Sequence, residues 1–140
     1  MERKVDVAII GGGPAGLAAA LKAAERGAQV LVLERDREPG GILQQCIHNG
    51  FGLHYFGEEL TGPEYAARFV RKVRENPNIE IICDAMVLEF TEDRRILAVS
   101  AAQGLISVAA GAVVLAMGCR ERTRGALNIP GSRPAGVYTA

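Results

Sequence analysis

Residues Val7–Gly16 read VAIIGGGPAG, and no other stretch restricts the possible folds as tightly. Val5–Ile10 is short and almost continuously apolar, the pattern of a parallel strand buried on both faces. Gly11-x-Gly13-x-x-Gly16 follows at once, and Pro14 sits where a first helical turn tolerates proline. From Pro14 to about Arg26 the periodicity is helical. Leu17, Leu21 and Ala24 share one face, while Lys22, Glu25 and Arg26 fall elsewhere. Gly27 is a helix stop, and QVLVLE at Gln29–Glu34 is a second strand. Together these form a βαβ unit of about 30 residues.

The glycine spacing carries chemistry because it lies between a strand and a helix. Gly11 allows the sharp turn out of the strand, Gly13 lets backbone approach a pyrophosphate, and Gly16 lets the helix pack on the sheet. The open N–H groups and the positive end of the helix then face the phosphates. Glu34, at the end of the second strand, is the acidic residue expected about 20 residues on. It would accept hydrogen bonds from ribose hydroxyls and repel a 2′-phosphate. A dinucleotide with an ADP half is therefore expected. The turn alone leaves FAD and NAD both open.

The segment from Arg35 to Leu60 is irregular, glycine-rich and long for a loop, which points to a binding role or short helices. Thr61 and Glu64 have the spacing of a capping box. The helix after them carries Tyr65, Phe69 and Val73 as an apolar stripe, with Arg68, Arg71, Lys72 and Arg74 off it, and Asn76-Pro77 ends it. Ile79–Cys83 reads as a third buried strand. Met86–Ala110 reads as an antiparallel meander of three short strands, and Ala112–Gly118 as a further buried strand. The segment from Cys119 onward is turn-rich and charged, the pattern of a linker.

Lysine plus arginine equals aspartate plus glutamate, 16 each, so nothing favours nucleic acid or an anionic membrane as a partner. No run approaches the ~18 apolar residues of a membrane span, and the start MERKVDVAII lacks signal-peptide features. A cytoplasmic location is the expectation. Cys46, Cys83 and Cys119 are widely spaced without a CxxC, which argues against a disulfide framework. Cys46, His48 and His54 do not match a zinc spacing. Arg120, Arg122 and Arg124 form a basic run, read as a solvated linker, with contacts to cofactor phosphates or a following domain as the alternative.

Beyond the glycine fingerprint, three features carry a resemblance: the proline in GGGPAG, PGG at Pro39–Gly41, and VVLAMG after a meander. The chain resembles the amino-terminal FAD domain of two-dinucleotide-fold flavoproteins, the pyridine nucleotide-disulfide oxidoreductase superfamily. GGILQQCIHNGFGLHYFGEELTGPEYA and GCRERTRGALNIPGSRPAGVYTA further resemble oxidoreductases that accompany glycerol-3-phosphate dehydrogenase. The same segments resemble flavin subunits of opine oxidase, hydrogen cyanide synthase and sarcosine oxidase. The resemblance implies an α/β fold: a Rossmann-like, three-layer FAD/NAD(P)-binding architecture with a parallel sheet, helices and an antiparallel meander. It assigns Gly11, Gly13, Pro14, Ala15 and Gly16 to the pyrophosphate, and Glu34 and Arg35 to the adenosine ribose. Gly40 and Gly41 would shape the loop along the ADP and ribityl portion. Met86 would offer backbone bonds to adenine. Ala116, Met117 and Gly118 would line the floor, Met117 standing where the family has threonine.

Disulfide-reducing relatives carry two cysteines with four residues between them, at positions held here by Leu43 and His48. Dithiol–disulfide exchange at this place is therefore not expected. His48 could instead meet the flavin and handle a proton. Residues 1–118 are expected to be the FAD-binding domain and 119–140 a linker toward an NAD(P)-binding domain. The resemblance implies FAD, with NAD(P)H in a full-length protein, and a small-molecule substrate or partner dehydrogenase subunit. The competing readings are a non-catalytic dinucleotide-binding module and an NAD-dependent dehydrogenase domain.

Overall fold

The computed structural model describes residues 2–93, 95–119, 121–132 and 135–136. Four strands run parallel because each is an apolar run returned by a crossover: β1 (Glu2–Ile10), β2 (Val30–Leu33), β5 (Ile79–Ile82) and β8 (Gly104–Leu115). β6 (Ala85–Phe90) and β7 (Arg95–Ser100) complete one six-stranded sheet in the order β5-β2-β1-β8-β7-β6.

Strand alternation splits the core into two faces. Ile9, Val30, Val32 and Ile79 pack against Leu17, Ala20 and Ala24 of α1 (Pro14–Ala24), and against Phe69, Val70 and Val73 of α3 (Gly62–Arg74). Ala8, Ile10, Leu31, Leu33 and Ile82 face the other way. They pack against Ala85, Ile96, Ala98, Ile106 and Val108 of the meander. The result is helices, parallel strands and meander in three layers, as expected from the sequence. The helix α3 begins with both halves of its capping box: the Thr61 hydroxyl accepts from the Glu64 amide, and the Glu64 carboxylate accepts from the Thr61 amide at 2.8 Å.

Two expectations need correction. The third meander strand and the strand at Ala112–Gly118 are one continuous element, β8, which pairs antiparallel with β7 through Ala109 and parallel with β1 from Ser107 to Leu115. In the sequence Gly111 reads as a break between them. Instead it is a close approach, because a Cβ there would lie 2.9 Å from the Asp6 carbonyl oxygen on β1. Nor is this segment buried at its end: Leu115, which closes β8, is 57 % exposed and Met117, beyond it, 66 %. Beyond Ala109 the strand has only β1 beside it, and α1 and α3 lie over β1, β2 and β5.

The irregular segment does contain short elements. A 3-10 turn spans Gly41–Gln45, β3 (Asn49–Phe51) pairs antiparallel with β4 (Leu60–Thr61), and α2 (Leu53–Phe56) lies between them. Aromatic side chains bind this excursion to α3: Tyr55 meets Phe69 at a ring separation of 5.2 Å, and Phe56 meets Tyr65 edge-on at 5.5 Å. The Lys72 ammonium lies 5.2 Å from the Phe56 ring centre and 5.3 Å from that of Tyr55. Arg68 adds an ion pair to Glu58. The described residues from Cys119 onward form no helix or strand.

Candidate dinucleotide-binding site

The β1–α1 turn lies at the carboxyl ends of the parallel strands, where open α/β sheets leave a crevice. Gly11 hydrogen-bonds to the Leu33 carbonyl at 2.9 Å and has φ +104. A Cβ there would overlap the Ala116 carbonyl, whose carbon would be 2.8 Å away. Gly16 is equally constrained, because its Cβ would drive into the Gly11 carbonyl. Gly13 differs. Its φ is −74, and its Cβ would meet nothing nearer than the Gly41 Cα at 3.9 Å. The protein's own packing therefore demands glycine at 11 and 16 but not at 13.

No side chain caps α1, and its first internal bond runs from the Leu17 amide to the Gly13 carbonyl at 2.9 Å. Among the described residues, no hydrogen bond satisfies the amides of Ala15 and Gly16. Orphan donors at a helix start form an anion site.

Glu34 is 5 % exposed, and both its oxygens are engaged. Oε2 accepts the Gly12 amide at 2.6 Å and Oε1 the Asp36 amide at 2.8 Å. The carboxylate thus clamps the glycine turn to the segment after β2, and its remaining lone pairs are what a ribose could use. Pro39–Gly41 folds over the same turn. The Gly40 amide donates to the Gly12 carbonyl at 2.8 Å, and Gly41, at φ +54, would place a Cβ 3.0 Å from the Gly13 Cα.

These elements enclose a cleft of about 1090 Å³. Its glycine-turn side is formed by Gly11, Gly13, Pro14 and Ala15, with Glu34, Arg35 and Gly41 adjoining. Met86 lines it from β6, and Ala116, Met117 and Gly118 from the segment after β8. Gly16 and Gly40 stand behind the lining, where they set backbone packing. Arg35 is the only lysine or arginine among the described lining residues. It lies 3.8 Å from Asp36, so an anion here would rest mainly on backbone amides.

Sequence reasoning missed Val87, Ile42 and Gln45, which also line the cleft. Backbone groups of an antiparallel strand point alternately toward and away from the partner. The Ala85 amide bonds to the Glu34 carbonyl at 2.9 Å, away from β7. Met86, opposite Val99, therefore turns its backbone to β7, and Val87 turns its own to the cleft. Counting by two from the β5–β6 corner would have found it.

Apart from Cys119, the other candidates fall outside the cleft. His48 is exposed, with Nδ1 2.9 Å from the Asn49 carbonyl and its ring 5.3 Å from that of Phe51. Leu43 is buried beneath the 3-10 turn. Cys46, His48 and His54 form no metal-binding group among the described residues. Cys83 is half-buried, and burial, with the Glu34 charge second, pushes its thiol up from the ordinary range. Cys119 is exposed on the cleft lining. Arg124 holds the carbonyls of Pro130 at 3.0 Å and Ser132 at 3.3 Å, a turn-forming role, and Arg122 reaches the Ala126 carbonyl. Arg120 lies outside the described residues. No helix among them is long and apolar enough to cross a membrane.

Comparison with known proteins agrees with this fold. An opine oxidase subunit of Agrobacterium tumefaciens (strain Ach5) is 34% identical over 96% of this chain and 27% of its own length. Thioredoxin reductase of Peptoclostridium litorale is 33% identical over 89% of this chain and 38% of its own. The chain thus spans roughly a quarter to two fifths of the length of these relatives. The crystal structure of L-proline dehydrogenase from P. horikoshii superposes with a TM-score of 0.74 at 30% identity, covering 87% of this chain and 24% of that one. The pyridine nucleotide-disulphide oxidoreductase family matches residues 5–139, and the resemblance read from the glycine fingerprint, the PGG segment and the strand before Gly118 is borne out. The chain belongs to that family.

Proposed function

We propose that this chain is the FAD-binding portion of a flavin-dependent oxidoreductase. In this reading residues 1–118 form the FAD-binding domain and 119–140 lead to an NAD(P)-binding domain. The observation that carries it is Gly13, a fingerprint glycine that the fold does not require, facing a cleft beside unsatisfied helix-start amides. A diphosphate brought against that backbone explains both features. Gly13, Pro14, Ala15 and Gly16 would hold it, Glu34 with Arg35 the adenosine ribose, and the outward backbone of Val87 the adenine. Gly41, Ile42, Gln45 and the Ala116–Gly118 segment would bound the remainder.

FAD would supply the two-electron chemistry, and the protein would bind, orient and shield it. The proposed reaction moves electrons between FAD, NAD(P)H and a small molecule or partner subunit. Leu43 and His48 at the disulfide positions support a non-disulfide branch. Kinship with one subunit of opine oxidase supports a partner protein.

The meander and the family membership favour FAD over NAD. Calorimetric titration with FAD, ADP and NAD tests this. FAD and ADP should compete for one site, with NAD much weaker. Binding of NAD without FAD would favour a dehydrogenase domain instead.

A further inference from the structure

We infer that Gly62, outside the cleft, is a positioning residue that sets the wall facing the flavin half of the ligand. This rests on the FAD reading above. Gly62 opens α3, and its amide donates to the Cys46 carbonyl at 2.8 Å. A Cβ on Gly62 would overlap the Leu43 carbonyl oxygen and lie 2.6 Å from the Cys46 carbonyl oxygen and 2.8 Å from the Cys46 Cβ. Two of these neighbours are backbone, so they cannot swing aside as a flexible side chain would. The helix start and the 3-10 turn are therefore in direct backbone contact, a contact only glycine allows.

That turn presents Ile42 and Gln45 to the cleft. Its other end is held separately. The Gly40 amide bonds to Gly12, and Gln44 Nε2 donates to the Pro39 carbonyl at 2.9 Å. Gly62 thus presses on the Leu43–Cys46 half, while Gly40 and Gly41 stay fixed to the glycine turn. The ADP half of the ligand is assigned to the glycine turn, Glu34 and β6. Displacing the Leu43–Cys46 half leaves that half alone and moves the wall available to the rest.

The test compares ADP and FAD affinities of the intact chain, with thermal melting, for wild type, Gly62→Ala and Thr61→Ala. Wild type should bind FAD more tightly than ADP. Gly62→Ala should lose FAD affinity by about tenfold, the scale of a small misplacement at a site, while ADP affinity holds within about twofold. Thr61→Ala removes a helix cap, so it should lower the melting temperature and move neither affinity. If Gly62→Ala fails to fold, Gln45→Ala removes a wall side chain that this half presents to the cleft, without a clash, and should give the same split. Unchanged FAD affinity, or equal loss of both ligands, overturns the inference. So does a wild type that binds ADP and FAD equally. A wild type that binds neither overturns the flavin reading itself.

Discussion

On one side of the cleft, Gly16 is held by the Gly11 backbone within the same turn, and Gly11 by the Ala116 backbone just after β8. On the other, Ile42 and Gln45 stand where they do because a helix some twenty residues later begins with a glycine that lets Leu43 and Cys46 approach. The first side is built from local spacing, strand to turn to helix, and closed by one carboxylate, Glu34. The second is built from distant pieces: the Gly62 contact, the Thr61–Glu64 cap, and the ring cluster of Tyr55, Phe56, Tyr65 and Phe69. Substitutions at Gly11, Gly16 and Glu34 should therefore damage fold and ligand site together, with Gly13, which has open space around it, as the exception. Those on the second side should separate them.

The largest effect is expected on the first side. Gly16→Ala forces a methyl into the Gly11 carbonyl, and overpacking of this kind costs about 1–3 kcal/mol. A large drop in melting temperature with loss of ADP binding should follow. A melt like wild type would show that the turn is less constrained than its geometry. Glu34→Ala comes next. It strands the buried Gly12 amide, at roughly 1–3 kcal/mol for an unsatisfied donor, and releases the part-buried Asp36 amide. Denaturant titration should show this in the absence of any nucleotide. If the loss appears only in nucleotide affinity, Glu34 is a ligand contact and not a clamp.

Thr61→Ala, on the second side, should cost about 0.5–2 kcal/mol and spare ADP binding. The smallest effect concerns pH. The backbone amide of Thr61, and then its hydroxyl, hold the Glu64 carboxyl below its usual range, and the Arg68 guanidinium does the same for Glu58. A carboxyl that binds protons less readily when folded favours the folded state while ionised. Its contribution is thus present above the ordinary carboxylate range and is lost as pH falls through and below it. Melting of Glu64→Gln should show a shallower decline with acid than wild type. A steeper decline would contradict the assignment.

The same contrast explains what the sequence made legible. The βαβ unit, the capping box, the glycine turn and Glu34 follow from spacings with a physical cause, whereas Arg35, Gly40, Gly41 and Ala116–Gly118 come from the family resemblance. The 3-10 turn, the β3–β4 hairpin and α2 do not, because their conformations depend on contacts with α3 that no local pattern encodes. Gly111 shows the reverse failure. A glycine in an apolar run reads as a turn, yet here it accommodates the backbone of β1, and one strand serves both the meander and the parallel ladder. The resemblance points to Met86, just after the third strand, for adenine. The ladder, fixed by the single bond from Ala85 to Glu34, gives the outward backbone to Val87.

The central claim is that Gly13 is glycine for a ligand and not for the fold, and the ADP affinity of Gly13→Ala tests it most directly. The variant should melt within about 0.5 kcal/mol of wild type, as a substitution with open space around it does, yet bind ADP at least about tenfold more weakly through the lost diphosphate approach. A stable Gly13→Ala protein that binds ADP as tightly as wild type would contradict the account.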